Sequence, residues 1–228
     1  MIQDIWPKHL DNQYKNLKPG NEDTVFYFQG SSLLARPSGH FNSQNPEENV
    51  LIYPQYDEFV QGIKSSYGDK AVDNFEFIYL LSIDEEHFFL ARKTGSLERG
   101  TFLGEMADSA VHKDMYSFVR GYEFIGVDSF RKAQPREHAY AAITAFHLYG
   151  WYRDNHFCGR CGKPLKHDDK QRMLRCYCCK NMVFPKICPA VIVAVTDKDR
   201  ILLTKYAGRT YRNYALIAGL TEIGETTE

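Results

Sequence analysis

Four cysteines are the residues of this chain whose type and spacing most directly predict chemistry. Cys158 and Cys161 are separated by two residues, fourteen residues follow, and Cys176 and Cys179 repeat the two-residue spacing. A two-residue gap lets both sulfurs of a pair turn toward one point, and a second pair completes a tetrahedron. This is the ligand spacing of a structural zinc ribbon, so the sequence predicts one closed zinc site on these four thiolates.

The other two cysteines, Cys178 and Cys188, are interpreted as spare thiols. A metal-free set of buried thiols is the alternative to the zinc site. A disulfide framework is disfavoured because six cysteines in 228 residues are few and four of them crowd one segment. Gly159 and Gly162 follow the cysteines of the first pair, and we expect both at positive φ, as tight turns require. Clustered free thiols favour a reducing compartment and predict a cytoplasmic protein.

The segment around the cysteines carries an excess of positive charge. Between His156 and Lys186 two aspartates oppose eight basic residues, and four thiolates with one Zn²⁺ would leave a net charge of about +4. Such a patch can attract phosphate esters, although a solvated hairpin has the same composition. The basic residues are Arg160, Lys163, Lys166, Lys170, Arg172, Arg175, Lys180 and Lys186.

Overall composition excludes a strong general attraction to nucleic acid or membranes. The chain is 43% hydrophobic and 25% charged, with a formal net charge of −1. No apolar run approaches the roughly 20 residues that span a membrane, so we predict no membrane association. The first residues also lack the basic and apolar regions of a secretory signal.

The elements that position the cysteines begin with a β-rich N-terminal domain over residues 1–134, of α+β class. Alternating apolar residues bounded by turn signals predict its strands, and Asp84-Glu-Glu86 predicts the turn of its clearest hairpin. A helix is predicted over Met106–Arg120. The predicted strands are Val25–Phe28, Ser32–Arg36, Phe75–Ile83 and His87–Arg92.

A linking helix over residues 135–155 leads into the zinc ribbon at residues 156–187. Pro135 is expected in its first turn, where the missing N–H of proline is harmless. The run Cys188–Val195 is nearly all apolar and predicts a strand covered on both faces. Arg200–Thr204 and Tyr214–Ala218 are predicted as the following strands, the second ending at Gly219.

A sequence motif then gives the chain a resemblance. Five residues separate Gly219 from Glu225, which is how a Nudix box opens. Together with the ribbon, the linking helix and Phe184-Pro185, this order resembles the zinc-containing NADH pyrophosphatase branch of the Nudix hydrolases. The resemblance extends from about Ala139 to Glu228. It implies that residues 188–228 are the opening strands of an incomplete Nudix α/β/α domain.

The resemblance implies hydrolysis of the diphosphate bond of NADH, NAD and related dinucleotides, and in some members removal of NAD caps from RNA. It also implies a homodimer and water activated on Mg²⁺ or Mn²⁺. The family's box continues with Arg-Glu-x-x-Glu-Glu on a catalytic helix, which this chain does not contain. We therefore expect the chain to be inactive alone. The alternative is a non-enzymatic zinc-ribbon module that binds nucleic acid or protein.

Two positions near the end of the chain inherit roles around the catalytic metal. Ala218 corresponds to a residue whose backbone carbonyl binds a divalent ion. Glu225 corresponds to the glutamate that braces the catalytic helix through an arginine.

Four positions inherit roles toward the substrate. Phe184 stands in place of a tyrosine that contacts the dinucleotide, and Leu220 in place of a common stacking phenylalanine. For both residues, core packing is the alternative. Gln171 replaces a substrate-contacting glutamate, and Arg131 is the candidate for a substrate arginine of the N-terminal domain.

Overall fold

The structure is a computed structural model that describes residues 3–39, 50–94, 117–208 and 213–226. It divides into two compact units, Met1–Phe184 and Pro185–Glu228, and each unit is described by itself. The predicted α+β class is confirmed. The helix predicted over Met106–Arg120 lies largely outside the described residues. No helix in the described ranges is long and apolar enough to cross a membrane.

The first unit is built on a seven-stranded sheet formed by described residues. Its neighbours run in the order β1-β5-β6-β2-β3-β4, with β7 also pairing with β3. Strands β2 and β6 are parallel, and the other pairs are antiparallel. The strands are β1 Leu10–Asp11, β2 Thr24–Gln29, β3 Ser32–Ser38, β4 Val50–Ile52, β5 Phe75–Ile83, β6 Glu86–Lys93 and β7 Glu123–Gly126.

The predicted hairpin is confirmed as β5 and β6, with a tighter turn than expected. Asp84 adopts a left-handed φ of 51°, so Asp84 and Glu85 suffice for the turn and Glu86 already pairs with Ile83. Aspartate is one of the few non-glycine residues that adopts this conformation readily.

Helices cover both faces of this sheet. Helix α1 is Tyr56–Tyr67, and α2 is Arg136–Asp154. On β2, Val25 and Tyr27 belong to the core cluster that contains Phe59 of α1. Phe26 and Phe28 alternate with them and belong to the cluster that includes α2. Burial on both faces explains why β2 is apolar almost throughout.

Helix α2 carries the chain from the sheet to the ribbon. It begins one residue later than expected, because Pro135 is extended (φ −68°, ψ 148°) and occupies the N-cap instead of the first turn. Small buried residues, among them Ala142 and Ala145, let the helix approach the sheet closely. Short 3₁₀ helices at Asp69–Asn74 and Val127–Lys132 complete the helical segments among the described residues.

The ribbon follows as a small antiparallel sheet in the order β10-β9-β8. Its strands are β8 Lys166–His167, β9 Leu174–Arg175 and β10 Met182–Val183. All three belong to the first unit.

The second unit contains two antiparallel strand pairs among its described residues. They are β11 Ala190–Val193 with β14 Ile217–Leu220, and β12 Thr196–Asp197 with β13 Arg200–Ile201. The prediction that Gly219 ends its strand is wrong, because Gly219 pairs with Val191 inside the ladder. The prediction that the apolar run is covered on both faces is also wrong for this chain, since Ile192 is 69% exposed.

Two helical glycines are expected to respond oppositely to alanine. A Cβ at Gly62 of α1 would lie 2.7 Å from the carbonyl oxygen of Phe118 and 3.0 Å from Cγ2 of Val119, whereas a Cβ at Gly150 of α2 would meet nothing within 4 Å. Gly62→Ala should therefore lower the free energy of unfolding by about 1–3 kcal/mol. Gly150→Ala should raise it by about 0.5–1 kcal/mol through helix propensity. Urea denaturation measures both, and equal effects of the same sign would contradict the packing described for α1.

Candidate metal centre

The four predicted ligand cysteines converge at the tip of the ribbon. Their sulfur atoms all lie within 4.8 Å of one another, with Cys158 to Cys179 at 3.5 Å and Cys161 to Cys176 at 3.4 Å. A zinc ion held by four thiolates at about 2.3 Å places the sulfurs about 3.8 Å apart in a tetrahedron. The cluster is therefore compatible with a structural zinc site.

The two cysteine pairs form the same local structure. In the first, the N–H of Cys158 donates to the carbonyl of Lys163 (2.8 Å) and the N–H of Gly162 donates to the carbonyl of Cys158 (2.8 Å). In the second, the corresponding bonds run from Cys176 to Asn181 and from Lys180 to Cys176, both 2.9 Å. Each pair is thus held by its own backbone, and the sulfurs point in a fixed direction.

The residue after each second cysteine takes the left-handed conformation. Gly162 has φ of 68° and Lys180 has φ of 62° at the equivalent position of the second pair. The expectation of positive φ at Gly159 is wrong, because this turn reverses only after the second cysteine. Glycine meets that requirement without strain, whereas a lysine there is strained by its Cβ.

Backbone N–H groups stabilise negative charge on the inner sulfurs. Burial raises the pKa of the Cys158 thiol, but hydrogen bonds from the N–H groups of Arg160 and Cys161 and from the thiols of Cys179 and Cys161 together lower it to about 6. The pKa of Cys176 is also lowered, first by the N–H of Cys179. The pKa values of Cys161 and Cys179 are instead raised, in part by hydrogen bonds with the neighbouring thiols, so two of the four thiols ionise readily in the absence of a cation.

One of the two faces of the ribbon sheet packs against the rest of the first unit. Strand pairing places His167, Leu174 and Val183 in one row across the ribbon sheet. Leu174 is 2% exposed and belongs to the core, and Val183 packs against the same cluster. The guanidinium of Arg172 also donates to the backbone carbonyl of Leu80 in β5.

His167 is the polar member of this inward row. Its ring lies 5.3 Å from that of Tyr14 and 5.6 Å from that of Tyr152 (centroid distances), and Nδ1 is 3.4 Å from the Tyr14 hydroxyl. Burial lowers the pKa of His167, because the charged imidazolium loses hydration there.

The other predicted residues of the first unit do not join the cysteine cluster. Gln171 is exposed in the β8–β9 loop, where its N–H donates to Oδ1 of Asp168 (3.1 Å). Phe184 is 51% exposed, which argues against core packing for its side chain. Arg131 lies in the 3₁₀ helix Val127–Lys132. Cys178 is exposed and stays outside the cluster, and Cys188, which belongs to the second unit, is also exposed.

The predicted residues of the second unit lie on β14 and the loop after it. Ala218 pairs with Ile192, and Leu220 is 69% exposed at the end of the strand. The loop is closed by Glu225, whose N–H donates to the carbonyl of Glu222 (3.1 Å) and whose Oε2 accepts from the Glu222 N–H (2.7 Å). These three residues therefore share one strand and its following turn.

Asn181 is a contributor to the metal centre that sequence reasoning missed. Its side-chain amide donates to the sulfur of Cys158 across the cluster at 3.7 Å. Its backbone carbonyl also accepts from Cys176, so this residue contacts both cysteine pairs. The only signal in the sequence is its position two residues after Cys179.

Zinc content separates the ligand cysteines from the spare one. We expect the protein to bind one Zn²⁺ per chain and to lose it in Cys161→Ser, because three thiolates hold zinc less tightly than four. Cys178→Ser is the matched control in the same segment and should retain the metal. Elemental analysis after dialysis measures the stoichiometry, and X-ray absorption should find four sulfurs at about 2.3 Å. Loss of zinc from Cys178→Ser would show that the ligands are wrongly assigned.

Acid should weaken the first unit partly through His167. A base whose pKa is lowered in the folded state binds more protons when unfolded, so its contribution to stability is lost as the pH falls through about 6.5 and below. His167→Phe should reduce the difference between unfolding free energies at pH 7.5 and 5.5, measured on zinc-loaded protein. His147→Phe, at an exposed position of α2, is the control and should leave the difference unchanged.

Part of this chain is similar in sequence to proteins named as hydrolases of NAD-capped RNA. It is 35% identical over 81 residues to proteins named "NAD-capped RNA hydrolase NudC" from Salmonella typhi, Salmonella heidelberg (strain SL476) and Salmonella newport (strain SL254). The match covers 36% of this chain and 32% of each relative, so the chain spans about a third of the length of the curated relatives it matches. No family model matches the chain. The resemblance to hydrolases of this type is thus confirmed over these 81 residues.

Proposed function

We propose that this chain is part of a Nudix-type hydrolase that cleaves the diphosphate bond of NADH, NAD and related dinucleotides, including NAD caps on RNA. The observation that carries the proposal is the 35% identity over 81 residues to proteins named NAD-capped RNA hydrolase. The four-cysteine cluster supports it, because a zinc ribbon marks the branch that the sequence resembles.

The second unit provides the residues assigned to the catalytic metal. A bound Mg²⁺ or Mn²⁺ would polarise the diphosphate and activate water. The backbone carbonyl of Ala218 is our candidate ligand for this ion. The role of Glu225 is to brace the segment that follows, and its bond to the Glu222 N–H already fixes the loop in which it lies.

Substrate contacts are proposed for the four residues that the resemblance singles out. Phe184 presents an aromatic ring on which a base or nicotinamide can stack. Leu220 stands where the family commonly has a stacking phenylalanine, and it would offer the dinucleotide apolar contact only. Gln171 and Arg131 would contact polar groups of the dinucleotide. We further propose a homodimer and a cytoplasmic location.

Hydrolysis is expected to require the glutamates of the Arg-Glu-x-x-Glu-Glu motif, which is not present in these 228 residues. We propose that the chain alone releases no mononucleotide, since nothing in its box supplies the Arg-Glu-x-x-Glu-Glu carboxylates. A version extended through such a segment should cleave NADH only when Mg²⁺ or Mn²⁺ is present. Chromatography of the products measures both forms, and turnover by residues 1–228 at the rate of the extended form would contradict the assignment.

Glu225 should matter more than its neighbour in the extended protein. Glu225→Gln is expected to lower the rate of NADH hydrolysis about 10- to 100-fold, the usual loss for a residue that orients metal ligands. Glu222→Gln is the matched control, because the bond to Glu225 uses its backbone N–H and not its carboxylate. Equal rates of NADH hydrolysis in the two variants would contradict the role proposed for Glu225.

A binding module without catalysis is the second candidate function. It is favoured by the basic and partly aromatic surface of the ribbon. If the extended protein binds nucleic acid but releases no mononucleotide from any dinucleotide tested, this second function is the correct one.

A further inference from the structure

A cleft lies between the large sheet of the first unit and the ribbon. Its volume is about 410 Å³, and its walls come from the segment after β1, from β5 and β6, and from β8 with the loop after it. The polar side chains that line it include Tyr14, Glu76, Arg92, His167 and Asp169. A cleft of this volume is large enough for a small organic molecule.

Three buried polar atoms at this cleft have no hydrogen-bond partner among the described residues. They are Nε of Arg92, the hydroxyl oxygen of Tyr152 and Nε2 of His167. The three side chains form one cluster, since the Tyr152 ring lies 5.1 Å from the Arg92 guanidinium and 5.6 Å from the His167 ring. Buried polar atoms of native proteins are nearly always hydrogen-bonded, so three exceptions in one cluster point to a ligand.

These three atoms are suited to donate hydrogen bonds. The Nε atom of an arginine carries a hydrogen and can only donate, and a tyrosine hydroxyl can donate as well. The Tyr14 hydroxyl lies 3.4 Å from Nδ1 of His167, and donation to Nδ1 leaves the hydrogen of a neutral ring on Nε2. Burial lowers the pKa of His167 and keeps its ring neutral. The cluster therefore fits a ligand with acceptor oxygens.

A positive charge in the same region has no counter-ion among the described residues. The half-buried guanidinium of Arg172 lies 5.9 Å from the centre of the Tyr14 ring, and its hydrogen-bond acceptor is the backbone carbonyl of Leu80. Burial raises the pKa of Tyr152, and the charges of Arg172 and Arg92 oppose that rise. Both guanidiniums thus lie near the Tyr152 hydroxyl.

The carboxylates that line the cleft do not neutralise Arg172. Glu76 is paired with Arg92 at 2.9 Å. Asp169 is exposed, and the exposed Lys166 in the same lining offsets its charge. One guanidinium therefore remains as net positive charge beside three hydrogen-bond donors. An arginine fork with further donors matches the oxygens of a carboxylate or a phosphate.

We propose that this cleft binds a small molecule through an oxyanion, a carboxylate or a phosphate, which is held by Arg172, Tyr152 and His167. Leu17 and Leu165 also line the cleft and offer apolar contact to the rest of the molecule. The site differs from the exposed basic surface of the ribbon, because the anion meets buried donors here. It uses neither the second unit nor hydrolysis, so it does not depend on the proposed function.

NMR titration of isotope-labelled, zinc-loaded protein with inorganic phosphate and with acetate tests the proposal, with chloride at equal ionic strength as the reference. At least one oxyanion should bind saturably, and the tighter one identifies the group. Tyr152→Phe should weaken this binding roughly 10- to 100-fold, because one hydrogen bond to a charged group is lost. Arg172→Lys should also weaken it, since lysine keeps the charge but lacks the fork. No saturable binding of either oxyanion would overturn the proposal.

Thermal melting in chloride buffer gives a second readout. Tyr152→Phe removes a buried hydroxyl that has no partner in the anion-free protein, so its Tm should be equal or higher. A lower Tm would show that the hydroxyl already has a partner within the protein, and the proposal would fail. Melting and zinc content also establish that each variant is folded.

Tyr53→Phe is the matched control for the hydroxyl. Tyr53 is 4% exposed, and its hydroxyl also lacks a hydrogen-bond partner among the described residues. The substitution should affect Tm as Tyr152→Phe does and should leave oxyanion binding unchanged. Equal losses of binding in the two variants would contradict the assignment of Tyr152.

Lys163→Ala is the control for general attraction to the basic ribbon. Lys163 is exposed beside the first cysteine pair, and it is not among the residues that line the cleft. The substitution removes a full charge, whereas Arg172→Lys removes none, yet oxyanion affinity should fall only in Arg172→Lys. If Lys163→Ala weakens binding as much, the oxyanion is attracted by the ribbon's charge in general and the cleft is not its site.

Discussion

Four sulfur atoms within 4.8 Å of one another are the constraint on which the ribbon depends. The ribbon strands contain two residues each, which is too few to form a stable sheet by themselves. Backbone hydrogen bonds shape each cysteine pair, but they do not join one pair to the other. A shared metal ion would make that connection, and the Asn181 amide supplies a weaker one.

The two faces of the ribbon sheet have different surroundings. The inward row attaches it to the core through Leu174 and Val183, so the position of the metal centre relative to the large sheet is set by apolar packing. The outward row, which consists of Lys166, Arg175 and Met182, does not take part in that packing. Because residues alternate strictly along a strand, these two roles fall on neighbouring positions, such as Lys166 and His167.

Local signals in the sequence predicted much of this structure, and non-local pairing explains most of what they missed. The cysteine spacing located the cluster, and alternation with turn residues located the β5–β6 hairpin. The prediction that Gly219 ends its strand is wrong, because its pairing with Val191 depends on a distant segment. The strained φ of Lys180 cannot be predicted from the sequence for a similar reason, since the hydrogen bonds of the folded Cys176–Cys179 pair determine it. The domain boundaries proposed from the sequence stay predictions, beside the two compact units that the structure contains.

The parallel pairing of β2 with β6 has a consequence for how the first unit folds. Hairpins such as β5–β6 close over a two-residue turn, and the ribbon also forms from neighbouring residues. The β2–β6 pair instead joins Val25 to Phe89, so a long loop must close before that contact forms. Contacts between distant residues slow folding, because the entropy of the loop is lost before the contact contributes stability. The β5–β6 and β2–β3 hairpins are thus expected to form before β2 and β6 pair with each other.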